Sequence, residues 1–453
     1  MMIIDHLELT RQLAVYIASR RRARDPDAVR DWQGRMLRRL VKDACENVPL
    51  YRRKYEAAGV RPEAVRSLED LGRLPILTKR ELVEAGPDGV LNASLSPRRV
   101  MPVKTSGSTG VPLVVFKDRA LMARYSFIKV ALPVGLDMAW RKPRLPRVLG
   151  LFAVGPGALE KTIQEAEPAC FRLLPRIWSH LDARSDPAVL LAALERVKPD
   201  IVMTYPSVLA LMTEAVRRGG RRPGHRPQAW VLSAEILTPR LREEAGETLG
   251  GELFDLYSSV EATNIARDCG RHRGLHIQRD EVVLEVLDGE RPAPPGVEGD
   301  VVVTDLWNRA TPIIRYAGLR DRAALVPEPC PCGNPSPRLV RIAGRRPGSL
   351  RLADGRTVHP YGLTLALEAV KGVAAYQIVQ TSRDEVRALI VPGRPASDEH
   401  RPPSLQKEAA YALAAVLGPS VRVTVEAVAA IPGAGDPDFT VVRSLDEGQT
   451  PES

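Results

Sequence analysis

Lysine is scarce in the second half of this 453-residue chain: after Lys198 only Lys371 and Lys407 occur. Chemistry that needs an ammonium late in the chain therefore has few candidates. Cysteine is also sparse. Five residues, Cys45, Cys170, Cys269, Cys330 and Cys332, are too few and too unevenly placed for a disulfide framework. No run of about 18 apolar residues occurs, which argues against a membrane span or membrane partner. Aromatic side chains make up only 5% of the chain and are not interleaved with basic ones. The net charge of +10 is spread along the whole length, mostly as arginine, so no nucleic-acid partner is expected. The densest basic runs, RRRAR at 20–24 and RRGGRRPGHR at 217–226, read as solvated loops or helix ends. The start, MMIIDHLELTRQLAVYIASRRRARD, has early acidic residues and no small-residue cleavage site after an apolar core. It does not read as a secretory signal, and a cytoplasmic protein is expected.

What is present is a globular composition, 44% hydrophobic and 26% charged, with length for two or three domains. One stretch stands apart: TSGSTG at 105–110, followed by the apolar, β-branched run Val111 to Phe116 that reads as a strand. Consecutive small and hydroxylated positions let a backbone wrap closely and point N–H and O–H donors inward. An anion, most often a phosphate, suits such a nest; a flexible polar hairpin is the alternative. The segment lacks the Lys-Ser/Thr of a Walker loop.

The periodicity predicts a helix over 31–47, with apolar Trp32, Met36, Leu37, Leu40, Val41 and Ala44 and with Asp31 as N-cap. From about residue 100, apolar runs at 147–154, 200–206, 228–235 and 252–259 alternate with helical stretches such as 189–198 and 208–218. This alternation predicts α/β layering with mainly parallel strands. Residues 281–304 place two β-rich runs around a Pro/Gly loop, the pattern of an antiparallel hairpin-like unit. Near 345 the text shifts to a small β-α-β-β pattern, and the last residues read as a frayed tail.

Four blocks fall in a recognisable order: TSGSTG (105–110), SAEIL (233–237), YSSVEA (257–262), and PIIRYAGLRD through IAGRR (312–346). With the N-terminal run NVPLYRRKYEAAGV…SLEDLGRLPILTKREL and the late run EAVKGVAAYQIV, they resemble the acyl-adenylate-forming superfamily. The nearest branch is that of phenylacetate–CoA ligase and the capsule-biosynthesis, coenzyme F390 synthetase-like proteins. The resemblance covers nearly the whole chain. It implies an α/β fold: a large N-terminal adenylate-forming domain of layered sheets and helices over 1–345, a small mobile α+β C-terminal domain over 346–445, and a tail over 446–453. It implies a ligase that converts a carboxylic acid and ATP, with Mg2+, to acyl-AMP and pyrophosphate, then passes the acyl group to an acceptor, coenzyme A in the first place. Amide-, ester- or N–N bond-forming acceptors, or a catalytically impaired nucleotide-binding relative, are the alternatives. Dimerisation is expected from the look-alikes.

Roles follow by the same resemblance. Thr105, Ser106, Gly107, Ser108, Thr109 and Gly110 would hold the β- and γ-phosphates, their hydroxyls donating and their glycines allowing close approach. Glu261 matches the Mg2+-binding glutamate, a hard carboxylate for a hard cation. Ala234, Glu235 and Ile236 would line the adenine, with Tyr257, Ser258 and Ser259 beside the nucleotide. Asp321 matches the aspartate that binds the ribose hydroxyls, and Arg345 the hinge arginine near the phosphates. Phe152, Gly155, Gly157, Tyr205 and Pro206 are candidates for the acyl pocket, and an aromatic or medium-sized acid is expected by analogy only.

CGRHRGLH at 269–276 and CPCG at 330–333 offer a second constellation. Cys269, His276, Cys330 and Cys332 supply soft thiolates and one imidazole, a set that suits a closed structural Zn2+ site. Some members of the look-alike branch carry these residues and some do not; His272 is the rival imidazole. The chain also departs from the family. Where relatives end in a Gly-Lys-rich segment with a catalytic lysine, this chain reads IPGAGDPDFTVVRSLDE (431–447), with Asp436 and Asp438 and no lysine. Arg443 is the nearest cation and is not interchangeable with lysine. Val111 stands where many relatives have lysine, and Val260 precedes Glu261 where relatives have Ser or Thr.

Overall fold

The computed structural model describes residues 11, 14–15, 17–19, 21–104, 113–130, 144–152, 178–219, 222–235, 237, 239–343, 350–358, 360–392, 404–432 and 442–445. They fall in two compact units, one within Met1–Val103 and Val115–Gly344, the other within Lys104–Val114 and Arg345–Ser453.

In the first unit the helix Pro26–Asn47 begins earlier than its apolar periodicity suggests. Asp25, not Asp31, is the N-cap: its carboxylate accepts from the Asp27 and Ala28 amides at 3.0 and 3.2 Å, and Pro26 takes the first helical position. Asp31 lies exposed inside the helix. Val48 turns extended ahead of Pro49, which opens the next helix, Pro49–Ala57. Val29, Gln33, Leu37, Leu40, Val41 and Ala44 form the buried face, at spacings of three and four. Gln33 is polar in this face because it has work there: its amide donates to the carbonyls of Arg279 and Val282 at 2.9 and 3.0 Å. Tyr51 behaves likewise, donating to Pro312 O at 2.8 Å and accepting from the Ile314 amide at 3.0 Å.

Strands β1 (Val100–Lys104) and β2 (Val114–Asp118) pair as a two-stranded sheet. The larger sheet contains β3 (Val148–Phe152), β4 (Trp178–Asp182), β5 (Ile201–Thr204), β6 (Ala229–Ser233), β7 (Glu252–Ser259), β8 (Thr263–Arg267), β9 (Leu275–Ile277), β10 (Val282–Asp288), β11 (Arg291–Pro292), β12 (Glu298–Asp305), β13 (Arg322–Val326) and β14 (Arg338–Ala343). Their spatial order is β11-β10-β12-β13-β14-β9-β8-β7-β6-β5-β3-β4. One half, β7-β6-β5-β3-β4, is parallel, as the alternating pattern predicts. The helices Pro187–Val197, Pro206–Gly219 and Pro239–Leu249 lie between successive strands of this half. Residues of β3 and β5 are buried throughout, as in a parallel sheet covered on both faces. The other half is antiparallel, and β10 and β12 form the predicted hairpin-like pair, with Val282 opposite Asp305.

In the second unit β15 (Leu350–Arg351) and β16 (Thr357–Val358) form a hairpin. The helix Pro360–Glu368 and the antiparallel pair β17 (Val373–Ser382) and β18 (Glu385–Pro392) follow. After the helix Ser404–Leu417, β19 (Arg422–Ala427) joins β18 and β20 (Val442–Arg443) joins β17, both in parallel. Leu363, Leu367, Tyr376, Ile378, Ile390 and Leu413 lie in its own core.

Candidate active site and cysteine–histidine cluster

Four neighbouring parallel strands end side by side. Their register pairs Gly150 with Met203, Thr204 with Leu232, and Ser233 with Leu256. Phe152 closes β3, Tyr205 follows β5, Ala234 and Glu235 follow β6, and Tyr257, Ser258 and Ser259 close β7. The carboxyl ends of parallel strands are where open α/β sheets bind ligands. Phe152 and Tyr205 are buried and meet edge to face, ring centres 5.5 Å apart, and Pro206 opens the next helix. The hydroxyls of Ser233 and Ser258 are 2.9 Å apart, joining β6 to β7. Ala234 is held at φ 70°, a left-handed conformation unusual for a residue with a Cβ. The Tyr257 hydroxyl donates to Asp321 Oδ2 at 2.6 Å, so two residues 64 positions apart share one locus.

Glu261 sits in the tight connection from β7 to β8, where Ser259 faces Thr263 across the ladder. Ser259 Oγ accepts from the Ala262 amide at 2.9 Å. Thr263 has φ 56°, strained for a β-branched residue, and its hydroxyl bonds the buried Tyr125 hydroxyl. Glu261 is only 8% exposed. Its Oε1 accepts from the Tyr316 hydroxyl at 3.2 Å, and its main-chain oxygen accepts from Lys117 Nζ at 2.8 Å. Lys117, on β2, is fully buried, and Asp305 Oδ2 lies 4.0 Å from its Nζ. Burial lowers the lysine and raises the aspartate from their ordinary pKa values, each opposed by the partner's charge. Asp305 Oδ1 caps the following turn, accepting from the Trp307 and Asn308 amides at 2.8 and 3.2 Å. Asn308 Nδ2 in turn donates to Phe116 O at 3.1 Å.

The candidates Thr105, Ser106, Gly107, Ser108, Thr109, Gly110, Gly155, Gly157, Ile236 and Arg345 lie outside the described residues.

Three antiparallel elements build the second constellation. Cys269 follows β8, His276 is the middle of β9 and lies opposite both Arg267 and Arg338, and Cys330 and Cys332 sit in the connection from β13 to β14. The turn is closed by the Gly333 amide on Cys330 O at 3.0 Å, with Gly333 at φ 83°. One ligand atom from each of the four residues lies within 4.8 Å of the others. Cys269 and Cys330 sulfurs are 3.9 Å apart, and Cys332 Sγ is 3.3 Å from His276 Nε2. His276 Nδ1 is 3.1 Å from Ser336 O, so the proton belongs on Nδ1 and the Nε2 lone pair faces the sulfurs. Burial pushes the Cys269 thiol up to about 12, with the neighbouring thiols adding to the shift. Three sulfurs and one imidazole lone pair converging at these distances fit zinc. The rival imidazole is elsewhere: His272 Nδ1 lies 2.7 Å from Asp268 Oδ2 and Nε2 3.3 Å from Glu252 Oε1.

Sequence reading missed Lys117, Tyr125, Asp305 and Tyr316. A single lysine in a strand reads as a solvated edge, and Tyr316 lay inside the recognised block PIIRYAGLRD without a role. The available signal was that Lys117 interrupts the apolar run VVFKD just after the hydroxyl-rich loop.

No family model matches the sequence. A phenylacetate–coenzyme A ligase of Thermus thermophilus is 30% identical over 367 residues, 78% of each chain. Its counterpart in Escherichia coli is 29% identical over 354 residues, 76% of this chain and 77% of that one. Among solved structures, 2-hydroxyisobutyryl-CoA ligase in the postadenylation state in complex with R3-HIB-AMP superposes with a TM-score of 0.62 and 25% identity, covering 90% of this chain and 88% of that one. The fold is thus that of the AMP-forming, adenylate-forming ligases, and the protein is an enzyme of that class. Within it, the chain belongs to the phenylacetate–coenzyme A ligase family.

Proposed function

We propose that the protein activates a carboxylic acid with ATP as an acyl-adenylate and transfers the acyl group to coenzyme A. The observation that carries this is the buried Glu261 turn, in a chain 30% identical over 367 residues to a phenylacetate–coenzyme A ligase. Residues 105–110 bind the triphosphate, Ala234–Ile236 and Tyr257 border the adenine with Ser258 and Ser259, Asp321 takes the ribose hydroxyls, and Arg345 contacts phosphate. Mg2+ bound with ATP supplies neutralisation of phosphate charge. Glu261 suits it: a buried carboxylate with Oε1 held by Tyr316, and with no hydrogen bond to Oε2 among the described residues. Phe152 and Tyr205 shape the acyl pocket with Pro206, Gly155 and Gly157, and their paired rings favour an aromatic or medium-sized acid. Cys269, His276, Cys330 and Cys332 hold a structural zinc, supported by their mutual distances.

A second reading concerns the acceptor. The stretch 431–447 has no lysine, a departure from the family that leaves an amine or another non-CoA nucleophile open as the acceptor beside coenzyme A. Pyrophosphate exchange across a panel of acids tests adenylation itself. Wild-type exchange with at least one acid, lowered about 100-fold or more in Glu261→Gln, is the expected result. Exchange that survives undiminished in Glu261→Gln overturns the role of that residue. Coenzyme A and amines offered in turn then identify the acceptor.

A further inference from the structure

Lys117 is a buried cation that none of the roles above uses. Its side chain is 0% exposed, a state almost never seen for lysine without a specific partner. Two partners are present, and they belong to different parts of the sheet. Nζ donates at 2.8 Å to the main-chain oxygen of Glu261, not to its carboxylate. The compensating charge is Asp305 at the end of β12, whose Oδ2 is buried and has no hydrogen-bond partner, 4.0 Å away. Asp305 Oδ1 is meanwhile committed to the turn amides of Trp307 and Asn308. Lys117 thus interacts with the Glu261 carboxylate through charge alone and fixes, by its hydrogen bond, the peptide that carries it. It does so from β2, the strand that follows the 105–110 segment in sequence.

The surroundings need such a clamp. Thr263, two residues on, is strained at φ 56°, a conformation that persists only where neighbours over-determine it. Tyr125 grips the Thr263 hydroxyl, and Tyr125 lies on the helix Arg119–Val130 that directly follows β2. Segment 117–125 therefore holds the Glu261 connection at its middle and at its far end. We infer that Lys117 is a positioning residue: its ammonium, balanced by Asp305, fixes the main chain at Glu261 so that the carboxylate meets the Mg2+ that accompanies ATP. The inference rests on the reading of Glu261 given above.

Calorimetric ATP binding, with and without Mg2+, separates the two claims. In wild type Mg2+ is expected to tighten ATP binding, and Glu261→Gln to abolish that tightening. Lys117→Met is expected to raise the Mg2+ concentration for half-maximal tightening about tenfold, the scale of one hydrogen bond from a charged donor. Metal-free ATP binding is expected to stay as in wild type, and Lys117→Met added to Glu261→Gln should cost nothing more. If Lys117→Met misfolds, Lys117→Met with Asp305→Asn is read instead, because it neutralises both charges and keeps the acceptor for the 307 and 308 amides. A wild-type Mg2+ response in the lysine variant, with Glu261→Gln inactive toward Mg2+, overturns the positioning role alone. Equal loss of metal-free and Mg2+-dependent binding also overturns it, marking Lys117 as merely structural. A normal Mg2+ response in Glu261→Gln overturns both claims.

Discussion

At the scale of single residues, burial decides chemistry more than identity does. Asp255 is an instance. Burial, with Asp268 adding to it, pushes its carboxyl from 3.8 up to about 7. The folded protein thus holds a proton that the unfolded chain releases near pH 4. Stability from this group is present below the unfolded value and is lost as pH rises through about 7. Asp255→Asn, which imitates the protonated form, should match wild type near pH 4 and exceed it in melting temperature above pH 7; parallel curves for the two would refute the shift. Residue-level legibility was uneven for the same reason. Glu261 was singled out by resemblance alone, whereas Cys269, His276, Cys330 and Cys332 stood out by their chemical kinds and two tight clusters, and their ligand atoms do lie within 4.8 Å of one another. Lys117 was not, because its one signal, the interruption of an apolar run, does not reveal its acceptor, a peptide oxygen 144 residues away.

At the scale of elements, the parallel strands were readable as buried apolar runs, since both faces of such strands are covered. The start of the first helix was misplaced because Asp25 and Pro26 precede the apolar periodicity, while Asp31 sits conveniently at its edge. Strand geometry brings His276, not His272, to the cysteines: β9 sets His276 between β8 and β14, whereas His272 lies in a turn and pairs with acids. A prediction belongs at this level. Cys269, His276, Cys330 and Cys332 bring the segment after β8, the middle of β9 and the β13–β14 connection to one point, with ligand atoms within 4.8 Å of one another. Purified protein should therefore contain about one equivalent of zinc, and Cys330→Ser should lose it. Elemental analysis checks this, and fully folded, metal-free protein would contradict it.

At the scale of the whole molecule, the two units have separate interiors; Leu363, Ile378 and Leu413 belong to the second one only. Scanning calorimetry is expected to resolve two unfolding transitions. Zinc chelation should lower the one from the larger unit by roughly 5 °C or more and leave the other in place. A single transition that shifts as a whole would show that the units melt together. Part of the arginine content serves the interior of the fold: Arg315 bonds Glu285 and two peptide oxygens, and Arg124 pairs with Glu281.

The first helix has one consequence for how the polypeptide is made. Its buried amide at Gln33 docks on carbonyls at 279 and 282, and Tyr51 exchanges hydrogen bonds with 312 and 314. While the ribosome is still synthesising the middle of the chain, these early residues have nothing to close upon. A nascent chain stalled short of residue 312 carries its amino-terminal segment undocked and open to chaperones.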